Sequence, residues 1–222
     1  MSAATLVAGK NLLVSLKATA GAPGAKSVLC VDYPAKAFLR PVATDPAWLN
    51  TNDIRLLSDW RNQYVSSFLT EFTATPARTG RWLSETVGPA DDKILFMLDL
   101  PDGSTVGHIG IGFIDWQGGY CEADAIVRGG VAPKGLMAES LLQVLSWAIH
   151  SLGLARVGVR VRSDNPALGF YQKVGFVEVK RVGLRISRDA DMIRWIEDAS
   201  LANQEVSLVH MILNHDALTR LD

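Results

Sequence analysis

The chain has 222 residues, 48% hydrophobic and 20% charged, with a formal net charge of −1 at pH 7. That composition suits one large packed domain, or a domain with an extension, and excludes a disordered chain. The near-zero charge argues against a nucleic-acid footprint spread over the molecule, and no apolar run approaches the ~18 residues of a membrane span.

Residues 1–36 come first. Leu12–Leu16 and Val28–Val31 are short apolar runs, separated by the small, flexible stretch Ala18–Lys26. They predict an N-terminal hairpin. Lys10 and Lys17 bracket the apolar segment Asn11–Leu16, and no basic residue precedes Lys10. This pattern argues against a secretory signal and predicts a cytoplasmic protein. Residues 1–50 carry five Lys/Arg against two Asp, read as a solvated face. Cys30 and Cys121 match neither a metal spacing nor a disulfide framework, and read as buried or half-buried thiols of a reducing compartment.

The main domain is predicted to span 37–222. Phe38–Val42 reads as a strand. A helix capped by Thr51 or Asn52 runs to about Tyr64, with Ile54, Leu57 and Trp60 at helical spacing. A second helix follows Thr75-Pro76, with Trp82, Leu83 and Val87 inward. Strands Ile94–Leu98, Thr105–Trp116 and Tyr120–Arg128 form a meander, punctuated by Pro101-Asp102-Gly103 and Gly118-Gly119. Lys134–Leu152 is the strongest helix, with Leu141, Val144, Leu145, Ala148 and Leu152 on one stripe and Gly153 at its C-terminal end. Then come strand Arg156–Val161, a short helix from Pro166 to Gly175 capped by Asp164, strand Phe176–Val179, a polar and partly helical insertion Ser187–Asn203, and strand Leu208–Leu213. The fold class is α/β (α+β): a mixed, mostly antiparallel sheet flanked by helices, with the short β extension in front.

Two segments point to chemistry. At Arg128–Ala138, Gly129, Gly130 and Gly135 precede a helix, whose free N–H groups and positive dipole end suit a pyrophosphate. Neither a dinucleotide fingerprint nor a Gly-Lys-Ser/Thr loop is present. In Asp164–Phe176, Asp164 reads as a helix cap or a polar ligand, and Tyr171 as a core aromatic with a polar tip. No paired His at helical spacing and no Cys pair occurs, so no metal is expected, and no Gly-x-Ser-x-Gly elbow occurs, so no Ser-linked intermediate is expected.

These segments together resemble the Gcn5-related N-acetyltransferases (GNAT). The family carries Arg/Gln-x-x-Gly-x-Gly/Ala where this chain reads Ala132-Pro133-Lys134-Gly135-Leu136-Met137. Gly135 keeps the fourth position, while Ala132 and Met137 depart from the first and last. Gly-Leu-Met-Ala-Glu looks like the ribosomal-protein and sugar-acetylating branches. The resemblance implies acetyl-CoA as co-substrate, without a metal. Ile126, Val127, Arg128, Lys134, Gly135, Leu136, Met137, Ala138, Asp164, Asn165, Phe170 and Lys173 would hold it. It implies Tyr171 as the acid at the departing thiolate. A base is also needed, because only a neutral amine attacks. Glu122 and Asp124 share one face of their strand and offer two carboxylates, which either serve as base or face solvent. His108, on the preceding strand, is a third candidate or a hydrogen-bonded core residue. An oxyanion would meet backbone N–H groups near Val127. The acceptor side would include Trp60, Arg61, Asn62, Trp82 and Trp195. The preferred acceptor is an amine on a nucleotide-linked sugar, with a protein N-terminus as the alternative. A non-catalytic acyl-CoA-binding module is a further reading. No nucleic-acid or membrane partner is expected, and a homodimer is possible within the family.

Overall fold

The computed structural model describes residues 2–25, 29–32, 34–201, 205–214 and 216. Among these residues, ten strands form a single sheet: β1 (Leu29–Val31), β2 (Ala37–Pro41), β3 (Thr70–Glu71), β4 (Ile94–Asp99), β5 (Thr105–Asp115), β6 (Tyr120–Arg128), β7 (Arg156–Arg162), β8 (Phe176–Arg188), β9 (Ile193–Glu197) and β10 (Ser207–Leu213). Their spatial order is β1-β2-β4-β5-β6-β7-β10-β8-β9-β3. The mixed, mostly antiparallel sheet matches the sequence expectation. The β6–β7 pair is parallel.

Burial alternates across the sheet with period two. On β4, Ile94, Phe96 and Leu98 enter one core, with α4 (Leu136–His150) and α5 (Ala167–Val174). Leu95 and Met97 enter a second core with Leu57, Trp60, Leu83 and Val87. Both faces are covered, which explains the unbroken apolar run of this strand. Helix α2 (Thr51–Gln63) starts at Asn50, whose side chain accepts from Asn52 and Asp53 N–H. The cap therefore falls one residue before the expected Thr51 or Asn52. Helix α3 (Pro76–Trp82) continues through a π-helical turn at Leu83–Val87. Leu83 and Val87 point inward, but Trp82 does not, at 38% exposed.

The N-terminal segment corrects the expected hairpin. Ala3–Thr19 forms a helix, α1, capped by Ser2. Gly9, Leu13 and Lys17 are its buried residues, four apart, and make one seam. A side chain at Gly9 would stand 2.0 Å from the Leu152 carbonyl oxygen, and Leu13 belongs to the main core. The run Leu12–Leu16 is too short for periodicity to separate strand from helix. Of the expected strands Leu12–Leu16 and Val28–Val31, only Leu29–Val31, β1, is a strand among the described residues, and Val28 lies outside them.

Of the five basic residues in 1–50, Lys26 lies outside the described residues, and the other four all have partners. Lys10 pairs with Asp91, Lys36 with Asp32 and Glu139, and Arg40 with Asp53 and Asp99. Lys17 donates to the carbonyls of Val87 and Ala90, and its burial pushes its pKa down to about 8. Cys121 is buried as expected, whereas Cys30 is exposed.

The expected partly helical insertion is a hairpin instead. β8 runs on to Arg188 and pairs antiparallel with β9, which carries Trp195; residues 202–204 lie outside the described set. β9 in turn pairs with β3, after α2. No helix among the described residues is long and apolar enough to cross a membrane.

Candidate active site

β6 and β7 are parallel neighbours only at Tyr120–Glu122 against Arg156–Gly158. Beyond Glu122, β6 pairs on its other edge with β5, and β7 pairs with β10. Backbone groups alternate between the two edges of a strand. Those on the β7-facing edge of β6 therefore open on a gap. A cavity of about 610 Å³ reaches this gap, with Ala123–Ile126 on one wall and Val161, Arg162, Asn165 and Tyr171 on the other. Its remaining walls come from α2, α3, β4, β5 and the segment around β3.

A bulge shapes the β6 wall. His108–Gly110 of β5 opposes Val127–Asp124, which gives β6 one extra residue. Ala125 sits there with φ 49°, a conformation uncommon for a residue with a Cβ. Bulges of this kind re-aim side chains beside active sites. Here Glu122 and Asp124 face the cavity, and after the bulge Val127 faces the second core.

All four expected catalytic residues line this one cavity. Tyr171 is buried against Phe170 and Phe176. Its hydroxyl has no hydrogen-bond partner among the described residues. Burial, then the Asp124 carboxylate, raises the phenol above its ordinary range and keeps it protonated. Glu122 is committed: it accepts from Arg160 Nε at 2.7 Å and from the Tyr120 hydroxyl at 3.1 Å. Asp124 has no hydrogen-bond donor among the described residues, and Arg61 is its cationic neighbour. Gly112 makes room for it, because a Cβ there would stand 2.9 Å from Asp124 Oδ2.

His108 is buried, stacked on Trp60 at 5.9 Å, with Nδ1 2.6 Å from the Ala125 carbonyl oxygen. A carbonyl only accepts, so Nδ1 carries the proton. Burial pushes the ring down to about 4. Its lowered value means that the unfolded chain takes up a proton first as pH falls. The stability held by neutral His108 is therefore full above about pH 6.5 and lost toward pH 4, by roughly 3 kcal/mol in all. Chemical denaturation at pH 7.5 and pH 4.5 should show this loss in the wild type and a smaller one in His108→Gln.

Among the expected acceptor residues, Arg61 and Trp82 line the cavity. Arg61 donates to the Thr70 carbonyl and hydroxyl and lies 3.7 Å from the Phe68 ring centre. Burial lowers its pKa to about 10. Three expected residues are structural instead. Trp60 is 5% exposed and packs in the second core. Asn62 clamps Ala74 through both its amide atoms, at 2.9 and 2.8 Å. Trp195 donates to Glu71 at 2.6 Å beneath the Arg162 guanidinium.

The expected co-substrate residues divide in the same way. Asp164 neither caps α5 nor points into the cavity: it holds Arg162 with two hydrogen bonds, at 3.0 and 2.6 Å, which lower its pKa. Asn165 lines the cavity and caps Ala167 N–H, while its amide donates to the Ser67 carbonyl at 2.9 Å. Ile126 lines the cavity, Val127 is buried, and Arg128 and Lys134 are exposed. Phe170 packs on Tyr171, and Lys173 is exposed. Gly135 begins α4 with φ 91° and no side-chain cap; the Leu136 N–H donates to the Pro133 carbonyl and the Ala138 N–H to the Gly135 carbonyl, which leaves the Met137 N–H as the first-turn donor without an acceptor among the described residues. Glu139, also in that turn, is engaged by Lys36 at 3.1 Å. Gly129 and Gly130 serve otherwise than expected: neither is left-handed. A Cβ on Gly129 would stand 1.8 Å from the Trp60 indole.

The sequence reading missed Phe113, Lys93, Arg160 and Arg162 on the cavity wall. Phe113 has φ 52° and is 49% exposed. A bulky residue held there costs roughly 1–3 kcal/mol. The available signal was Gly107, Gly110 and Gly112, whose spacing marks close approach on β5.

Comparison with known proteins agrees with this geometry. Residues 37–177 match the family model described as "Acetyltransferase (GNAT) domain". The chain belongs to the GNAT acetyltransferase family. No curated protein matches its sequence significantly. The acetyltransferase fold is shared with a spermidine N-acetyltransferase from Vibrio cholerae, solved with CoA and spermine (TM-score 0.62, 16% identity, 83% of this chain and 98% of that one). It is shared with a probable GNAT-family acetyltransferase from Chromobacterium violaceum (0.63, 16%, 87% and 94%). FdhC, a nucleotide-linked sugar GNAT, is similar as well (0.59, 15%, 83% and 90%).

Proposed function

We propose that this acetyltransferase moves an acetyl group from acetyl-CoA directly to a primary amine, and that the amine sits on a nucleotide-linked sugar. The observation that carries the reading is the meeting of Tyr171 and Asp124 in one cavity, where β6 and β7 part. CoA would lay its pyrophosphate at the Gly135 helix end and its arm in the gap, with the thioester beside the bulge.

The chemistry then follows from the residues present. Asp124 takes the amine proton, being the cavity carboxylate without an ion-pair partner among the described residues. Backbone N–H groups at the open edge of β6 steady the oxyanion as the amine nitrogen adds to the thioester carbon. The carbon–sulfur bond breaks, and the Tyr171 hydroxyl donates a hydrogen bond to the departing sulfur. His108 stays neutral and acts as a fixed wall.

Charge supports the acceptor. Of the lining cations, Arg78, Arg160 and Arg162 are paired with carboxylates, whereas Arg61 and Lys93 have no carboxylate partner among the described residues, and they stand against Asp124, the unpaired carboxylate. Such a surface favours an anionic acceptor over a polyamine, and one structural neighbour is a nucleotide-linked sugar GNAT. The test is Tyr171→Phe. Turnover should fall roughly 10²- to 10⁴-fold, with calorimetric acetyl-CoA affinity within about twofold of wild type. Unchanged turnover would remove Tyr171 from the mechanism.

A further inference from the structure

We propose that Phe113, Trp82 and Lys93 form a subsite for the nucleoside diphosphate end of the acceptor, an inference that rests on the acetyl-transfer reading above and extends it to named recognition residues. Three observations converge. Phe113 and Trp82 are both large aromatics left exposed, 49% and 38%, and both open on the same cavity. Core packing does not account for them. Their exposed rings suit a planar heterocycle. Phe113 is also held in a left-handed conformation at a bulge, opposite Glu122 and Tyr120. An outlier of this kind, kept on a cavity wall, points to a use for the side chain.

The third observation is charge. Lys93 lies 5.8 Å from the Phe113 ring centre and has no carboxylate partner among the described residues. Arg160 lies closer, at 4.4 Å, but is committed to Glu122 and Glu197. Lys93 is therefore the cation with capacity for a phosphate. With Trp82, Asp124 and Ala125 it also borders a narrow, otherwise apolar recess of about 10 Å³, too small for a phosphate, so the phosphates would lie against Lys93 in the main cavity. An acceptor anchored by its base and phosphates at this end places its sugar amine toward Asp124. A polyamine would meet Lys93 and Arg61 with like charge. A peptide would leave the exposed rings of Phe113 and Trp82 without a planar group to cover them.

The probes are free UDP, dTDP, CDP and GDP, which lack any amine, together with inorganic pyrophosphate. Each is titrated calorimetrically into the wild-type protein without acetyl-CoA. At least one nucleoside diphosphate should bind with a Kd below about 1 mM, at least tenfold tighter than pyrophosphate. Phe113→Asn and Lys93→Ala should each weaken it about tenfold and leave acetyl-CoA affinity within twofold. Asn tolerates the left-handed backbone, so Phe113→Asn should keep the wild-type Tm or raise it, and a loss of binding then belongs to the ring. Saturating CoA should not displace the diphosphate. Three results would each overturn the subsite: no nucleoside diphosphate bound below 1 mM, pyrophosphate bound as well as the nucleotide, or affinity unmoved by both variants. Acetyl-CoA bound without any nucleotide would sink the subsite and spare the transferase. A nucleotide bound without acetyl-CoA would do the reverse.

Discussion

Asp124→Asn is expected to lower kcat by roughly 10²- to 10⁴-fold, the span typical of removing a general base. The reason is selection among three candidates. Glu122 is held by Arg160 and Tyr120, and His108 is hydrogen-bonded and pushed down to about 4 by burial. Asp124 alone faces the cavity without a donor among the described residues. Asn has the same shape, so Gly112 and the bulge at Ala125 accommodate it. KM for acetyl-CoA should therefore stay within about twofold, while kcat collapses. Glu122→Gln is the contrast. It strips a partly buried guanidinium of one partner and should show mainly as lost stability. Steady-state kinetics and thermal denaturation of the two variants decide the assignment. If Glu122→Gln loses the turnover and Asp124→Asn keeps it, the roles are reversed.

Gly129→Ala is expected to destabilise the fold by at least about 3 kcal/mol, at the upper end of overpacking penalties. The new methyl would stand 1.8, 2.1 and 2.2 Å from three atoms of the Trp60 indole. A rigid ring yields poorly. Trp60 is buried, stacked on His108, and shares its core with Leu57 and Val127. The Tm should fall by roughly 6–12 °C. Trp60→Leu would free the space, so Gly129→Ala should cost much less in that background. Such non-additivity is the mark of two residues in contact. Thermal unfolding of the single and double variants reads it directly, and additive losses would contradict the packing role.

Much of the domain was legible because its elements carry clear periods. β6 and α4 stand close to where alternation and the Leu141–Leu152 stripe put them. The shared face of Glu122 and Asp124 was legible for the same reason. What failed were features decided at a distance. Leu12–Leu16 became part of a helix because Gly9 lies against the Leu152 carbonyl and Leu13 enters the main core, contacts far away along the chain. Gly129 looked like a loop residue for phosphate, but it answers to Trp60, a contact between residues far apart in sequence. Asp164 had the spacing of a cap, yet the Arg162 guanidinium two residues back competes for it and wins with two hydrogen bonds. The bulge at Ala125 leaves no mark in composition. Neither does the left-handed Phe113, because Phe is an ordinary residue for a strand and its strain arises only from register.

The most direct measurement is release of the coenzyme A thiol by the purified wild-type protein. Acetyl-CoA would be supplied alone, with a UDP-linked amino sugar, with spermidine, and with a short peptide bearing a free N-terminus. The structure leads us to expect release with the nucleotide-linked amine at least tenfold above the acetyl-CoA control, with spermidine near that control. Release with the peptide instead would move the acceptor to a protein N-terminus. No release with any amine, despite acetyl-CoA binding, would contradict catalysis in this cavity.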